Sequence, residues 1–202
     1  MPRVKIPAGV IRNLENQIKN TKQFNAAAKK VAIGIRDETQ KELLREFDNH
    51  PITNELEGGA DANNISGTLG GYGNLFSFIG FPAGDSPITN LRHYLRSSIR
   101  TSNIKKEKGQ RTKVYFTIQK PEMKTVVSIT PMPWEMGRSW VRGIERGISG
   151  FGYYMSTMEK RFSRSGAGIQ TGNRLRGGAY KPTKYMSQIF RNLDRNLRRL
   201  VK

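Results

Sequence analysis

Cysteine is absent from the sequence, which rules out a disulfide framework and any thiolate metal site and fits assembly in a reducing cytoplasm. Histidine occurs twice, at His50 and His93, which is thin support for a His-rich metal site or a Ser-His-acid triad. Acidic residues become scarce after Asp85, so paired-carboxylate catalysis has little material to work with. Asp48 and Asp61 fit no DxD or EF-hand spacing. No apolar run approaches the roughly 20 residues that span a bilayer. The opening MPRVKIPAGVIRNLENQ turns polar before a signal-peptide core could form, which predicts a soluble or peripheral protein with no membrane partner. Catalysis, a cofactor and a bound metal are not expected.

Positive charge is what the sequence has in excess. Thirty-five Lys and Arg stand against 16 Asp and Glu in 202 residues, a net of +19. Residues 1–101 carry 13 basic and 10 acidic side chains, whereas residues 102–202 carry 22 and 6. A half-chain this basic repels itself unless it faces nucleic acid, an anionic membrane or an acidic protein surface. Apolar residues make up 36%, below an ordinary globular share, so extended or partner-ordered segments are expected.

Residues 10–48 read as helix, broken near Asn20 and Thr21, with Phe24, Ala28, Val31, Ile35, Leu43 and Phe47 at mostly four-residue steps. Asn49, His50 and Pro51 end it, and His50 reads as a cap where a helix C-terminus favours the imidazolium. Residues 49–86 show no sustained period and read as a long Gly- and Asn-rich loop. PITN occurs at 51–54 and again at 87–90, but the flanks do not align and the match reads as coincidence. A short helix is expected over 88–99, a charged loop over 103–111, and a β-hairpin formed by TKVYFTIQ and MKTVVSIT. Trp140, Val141, Ile144 and Ile148 fit one helix face. Residues 163–184 read as a flexible basic loop. The closing helix sets Met186, Ile189, Leu193, Leu197 and Leu200 against an arginine-rich face.

Two stretches invite a functional reading. GGYGNLFSFIGF at 70–81 has glycines enough for a phosphate loop, but Gly73 is followed by Asn74, Leu75 and Phe76 instead of Lys and Ser or Thr. No strand precedes it, and Phe76 occupies the place of a dinucleotide fingerprint's third glycine. Its apolar residues either fold back on their own core or insert into a neighbour. The latter makes Leu75, Phe76, Phe78, Ile79 and Phe81 a subunit or partner contact. The second stretch is basic: Arg191, Arg195 and Arg198 fall three or four apart, beside Arg199, with Arg174 and Arg176 upstream. These six form the expected contact with DNA or an acidic partner, a solvated helix face being the plainer alternative. No helix-turn-helix, zinc finger or RNP motif accompanies them.

The order of elements, with SWVRGIERG at 139–147, resembles the tail-completion, or neck, proteins of long-tailed bacteriophages. In that family the region after the hairpin reads aromatic, small residue, then Glu followed closely by Gly, matched here by Trp140, Val141, Glu145 and Gly147. KPTKYMSQIF is similar to the family's proline entry into its last helix, with Pro182 in the matching place. HPITNEL keeps Pro51, Thr53 and Leu56 of a Pro-x-x-Thr-Gly-x-Leu turn, with Asn54 in place of Gly, and a family-atypical insertion over 57–86 follows. The resemblance implies one α+β domain over 1–202, its long N-terminal helix packed on a small antiparallel sheet, with a C-terminal helix and extended arms. It further implies a homo-oligomeric ring at the head–tail junction of a virion, touching neighbouring connector and tail proteins and, non-specifically, packaged DNA, without cofactor or catalysis. A basic nucleic-acid-binding protein is the alternative.

Overall fold

Thr21 divides the N-terminal helical region by its hydroxyl. Its Oγ1 accepts the Phe24 amide at 3.2 Å and donates to the Ile18 carbonyl at 2.8 Å, so it starts one helix while terminating another. The computed structural model describes residues 8–19, 21–69, 73–107, 113–133, 135–146, 153–156, 169–174 and 181–200. Helix α1 spans Ala8–Lys19 and α2 Lys22–Asp48. The chain is α+β, and among the described residues its strands form three separate two-stranded antiparallel sheets. No helix of the described residues is long and apolar enough to cross a membrane.

Two compact units divide the chain. The first comprises residues 1–39 and 99–120: α1, most of α2, and the hairpin of β1 (Arg100–Glu107) and β2 (Lys113–Gln119). Arg100 pairs with Gln119 and Glu107 with Lys113, with a register shift between Ser102 and Lys105. Of the charged stretch expected as a loop over 103–111, residues 103–107 are strand, and residues 108–111 lie outside the described residues. Lys113–Gln119 pairs backward with it and not forward with MKTVVSIT.

The second unit comprises residues 40–98 and 121–202. It takes the end of α2 and adds α3 (Pro51–Glu57), α4 (Leu75–Ile79), α5 (Pro87–Ser98), α6 (Met123–Ser128), α7 (Trp140–Arg146) and α8 (Met186–Leu200). Strands β3 (Pro131–Met132) and β4 (Glu135–Ser139) pair, as do β5 (Tyr153–Ser156) and β6 (Ile169–Arg174). The expected strand at 123–130 is helix α6 instead. Only Val126 of that helix is fully buried, and the Thr130 hydroxyl donates back to the Val126 carbonyl at 2.7 Å, closing its last turn. Both PITN copies begin a helix, α3 at Pro51 and α5 at Pro87, because a fixed φ and a missing N–H suit a first helical turn.

Of the expected flexible loop at 163–184, residues 169–174 form β6, and residues 163–168 and 175–180 lie outside the described residues. Ile148, assigned to the α7 face from the sequence, also lies outside them. The segment entering α8 is fixed at several points. The Lys181 amide donates to the Thr68 carbonyl at 2.9 Å and the Thr183 amide to the Ile144 carbonyl at 3.2 Å. The Glu145 carboxylate accepts the Tyr185 and Ser187 amides at 3.1 and 2.7 Å, capping α8 from another helix.

Candidate interaction surface

Of the stretch 70–81, residues 74–81 are built into the second unit's interior, while residues 70–72 lie outside the described residues. Asn74 caps α4, its Oδ1 accepting the Ser77 amide at 2.9 Å, while its Nδ2 donates to the carbonyls of Ala60 at 2.6 Å and Ala62 at 3.1 Å. Gly80 ends the helix in the left-handed region at φ 86°, a conformation open to it for want of a Cβ. Between those two residues the backbone becomes a helical wedge. Leu75, Phe76, Phe78, Ile79 and Phe81 are at most 4% exposed. The Phe81 ring meets Phe76 at 5.3 Å and the edge of Trp140 at 6.1 Å. The partner-contact assignment for these five is therefore corrected. The apolar surface is already buried in its own chain and offers a neighbour nothing.

Glu55 secures the wedge. Its side chain is fully buried, with Oε1 accepting the Leu75 amide at 2.7 Å and Oε2 the Ser66 amide at 2.9 Å. One carboxylate on α3 thereby fixes both sides of a segment that shows no periodicity of its own. The Leu75 and Ser77 amides are consumed by Glu55 and Asn74, so neither is free to hold a phosphate.

Tyr185 organises the other side of this core. Its fully buried ring stacks on Phe47 at 6.2 Å and on Trp140 at 6.4 Å, and meets the His50 imidazole at 4.7 Å. The phenol lies 2.7 Å from the Thr53 hydroxyl, and burial pushes its pKa well above the ordinary tyrosine range. His50 is the N-cap of α3, with Nδ1 accepting the Ile52 amide at 3.2 Å. Burial lowers its pKa, opposed by the negative charge of Glu145, so its cap works through a neutral ring. This corrects the expected imidazolium at a helix C-terminus. Thr53, Trp140 and Glu145, which carried the family resemblance, serve here as core and capping groups.

Arg92 on α5 gathers the acids nearby. It holds both carboxylate oxygens of Glu57 at 2.8 Å, reaches Asp48 at 2.8 Å, and lies 5.9 Å from the centre of the Phe47 ring. Hydrogen bonding to Arg92 lowers the Glu57 pKa, and the guanidinium is in turn held more firmly protonated. Asp48 is therefore an ion-pair partner. No group of three or more His, Asp or Glu able to hold a metal converges among the described residues.

Comparison with protein-family models, curated proteins and solved structures returns no match.

Four exposed arginines define the basic face of α8. Arg191, Arg195, Arg198 and Arg199 lie opposite the buried Met186, Ile189 and Leu193. Arg191 also donates from Nε to the Ser187 carbonyl at 3.2 Å. The structure brings these four together as the sequence suggests. Arg174 falls on the backbone of β6, and Arg176 lies outside the described residues. More cations rim a cleft of about 320 Å³ between α6 and α7, where Lys124, Arg142 and Arg146 surround Met123, Val127 and Val141.

An apolar surface that sequence reading missed lies on α1, where Val10, Ile11, Leu14 and Ile18 are each 46–57% exposed. Its signal is an i, i+1, i+4, i+8 spacing, shorter than the run of four-residue steps after Thr21.

Proposed function

We propose that the chain is a structural protein of a tailed-phage virion, assembling as a homo-oligomeric ring at the head–tail junction, with a role in assembly and not in catalysis. The observation that carries this is the order of elements together with the use made of the resembling residues. A long helix, a short helix, an antiparallel hairpin, the Trp140 helix and a terminal helix occur in that order, with α3 and α4, α6, and two further strand pairs between them. Thr53 and Trp140 close around Tyr185, while Glu145 caps the terminal helix. Such a frame supports a subunit whose outer surfaces are given to partners. The exposed stripe on α1 and the arginine face on α8 are surfaces of that kind.

Light scattering on the purified chain tests the ring, with an expected mass that is a whole multiple of 22.9 kDa and closed particles in negative-stain images. A monomer at every concentration, missing from virion fractions, would refute it. The arginine face of α8 favours a second reading, a basic nucleic-acid-binding protein. Filter binding at low and physiological salt separates the two, since that reading requires tight, steeply salt-dependent retention of duplex or single strands.

A further inference from the structure

Helices α6 and α7 of the second unit each give a pair of residues four apart to the cleft between them. From α6 the pair is apolar, the half-buried Met123 and Val127. From α7 it is cationic, the exposed Arg142 and Arg146. Residues at this spacing share a helix face, so each pair acts as one edge. Fully buried Val141 completes the floor, and exposed Lys124 adds a third cation from α6. Glu145 is the one acid in the lining, and its carboxylate already accepts the Tyr185 and Ser187 amides. Among the described residues, no ion pair involves Lys124, Arg142 or Arg146. A volume of about 320 Å³ lies at the lower end of the roughly 300–1,000 Å³ range of ligand clefts, which suits one side chain and its flanking backbone.

We propose that this cleft binds an acidic peptide segment of another protein. One aliphatic side chain of that segment sits on the floor of Met123, Val127 and Val141, and carboxylates beside it meet Lys124, Arg142 and Arg146. Charge and floor together select the occupant. A net charge of +19 draws acidic surfaces and repels further copies of the same chain. A second copy also lacks a segment to offer. The chain has two runs of acid, apolar residue and acid, Glu46-Phe47-Asp48 and Glu55-Leu56-Glu57, and both Phe47 and Leu56 are buried in its own core. A nucleic-acid backbone would use the cations but leave the floor empty, and among the described residues no aromatic side chain lines the cleft for a base to stack on. Each arginine can take a carboxylate in its planar fork, and methionine on the floor adapts to the shape of an incoming side chain. The docking stands apart from the ring proposed above, because it requires an acidic partner and holds for a chain of any oligomeric state.

The test uses full-length protein and a fluorescein-labelled peptide with Asp-Asp-Leu-Asp-Asp between Gly-Ser flanks, followed by fluorescence anisotropy at physiological salt. A counterpart with serine in place of the leucine, equal in charge, should bind about tenfold more weakly, because the floor loses its apolar occupant. Arg142→Glu combined with Arg146→Glu should weaken the leucine peptide by about tenfold or more. Both side chains are exposed, so the circular dichroism spectrum should not change. Val127→Ser should shrink the preference for leucine over serine, whereas neutralising Arg195, Arg198 and Arg199 should leave that preference intact. With photoleucine at the peptide's centre, crosslinks should fall on Met123, Val127 or Val141. Equal binding of the two peptides to the unmodified protein would reduce the contact to charge alone and overturn the proposal, as would crosslinks confined to α8. Oligothymidylate held more tightly than the leucine peptide, and released by the double arginine variant, would assign the cleft to nucleic acid instead. Self-association of the unmodified chain that disappears in Val127→Ser would assign it to a second copy, and the proposal would again be wrong.

Discussion

Replacing Glu55 by Gln keeps the shape of the side chain and removes half of what it does. In the native protein each carboxylate oxygen accepts one amide, from Leu75 at 2.7 Å and Ser66 at 2.9 Å, and the side chain has no solvent exposure. Glutamine has one acceptor oxygen, so in either orientation its NH₂ faces an amide N–H and a donor is left without a partner. A hydrogen bond to a charged group is worth roughly 1.5–3 kcal/mol and an orphaned buried donor costs about 1–3 kcal/mol. The easier burial of a neutral amide offsets part of this loss. The expected net destabilisation is about 2–4 kcal/mol, or roughly 5–15 °C in Tm for a chain of this size. Glu57→Gln, two residues along, is the control. Its side chain is 51% exposed and paired with Arg92, and the expected loss stays below about 1 kcal/mol. Urea unfolding followed by circular dichroism measures both, and hydrogen exchange at the Ser66 and Leu75 amides reports the two bonds directly. A Glu55→Gln midpoint equal to that of Glu57→Gln, with both amides still protected, would refute the reasoning.

Tyr185→Phe should cost about 0.5–1.5 kcal/mol by removing the hydroxyl contact with Thr53, whereas Tyr185→Ala should cost about 3–5 kcal/mol or abolish folding, both read from denaturant midpoints. The His50 pKa is lowered in the folded state, so the unfolded chain binds the extra proton first and stability falls as pH drops below about 6.5. His50→Asn keeps a capping acceptor without titrating, and should flatten the change in urea midpoint between pH 7.5 and 5.5. Glu57 adds a loss at lower pH, below the ordinary carboxylate range, which Glu57→Gln should remove. If α8 meets phosphates, neutralising Arg195, Arg198 and Arg199 together should flatten the slope of log K against log salt by roughly 2.7, at ~0.9 per duplex phosphate contact. An unchanged slope would exclude this face from binding.

Elements governed by chemistry a few residues long were legible in the sequence. Thr21 divides α1 from α2, Pro87 opens α5, and the arginines of α8 fall opposite its leucines, each readable within one or two turns. What escaped depends on partners far along the chain. MKTVVSIT has the β-branched content of a strand, yet burial of Val126 and the bond from Thr130 hold Met123–Ser128 as helix. NIKKE has no apolar alternation and becomes strand because Lys113–Gln119 supplies its hydrogen bonds. Residues 57–86 look structureless because their organisers, Glu55 and Asn74, act across 11 to 20 positions. The same distance effect misdirected the reading of the Gly-aromatic stretch, whose apolar residues needed a burial site that only tertiary structure reveals. For the candidate surfaces, the arginine stripe was visible in one dimension, whereas the cleft between α6 and α7 depends on a helix, Met123–Ser128, whose local pattern reads as strand.

The bond between Thr53 and Tyr185 spans 132 positions. On a ribosome adding roughly 5–20 residues per second, the two partners are made about 7 to 26 s apart. Until the later one arrives, Phe47, His50 and Trp140 lack the ring they pack against, so the second unit completes its core only once most of the chain has been synthesised. In the ring assembly proposed above, such timing would mean that a chain lacks a complete core until late in its own translation, which would limit the chance that half-made chains are drawn in.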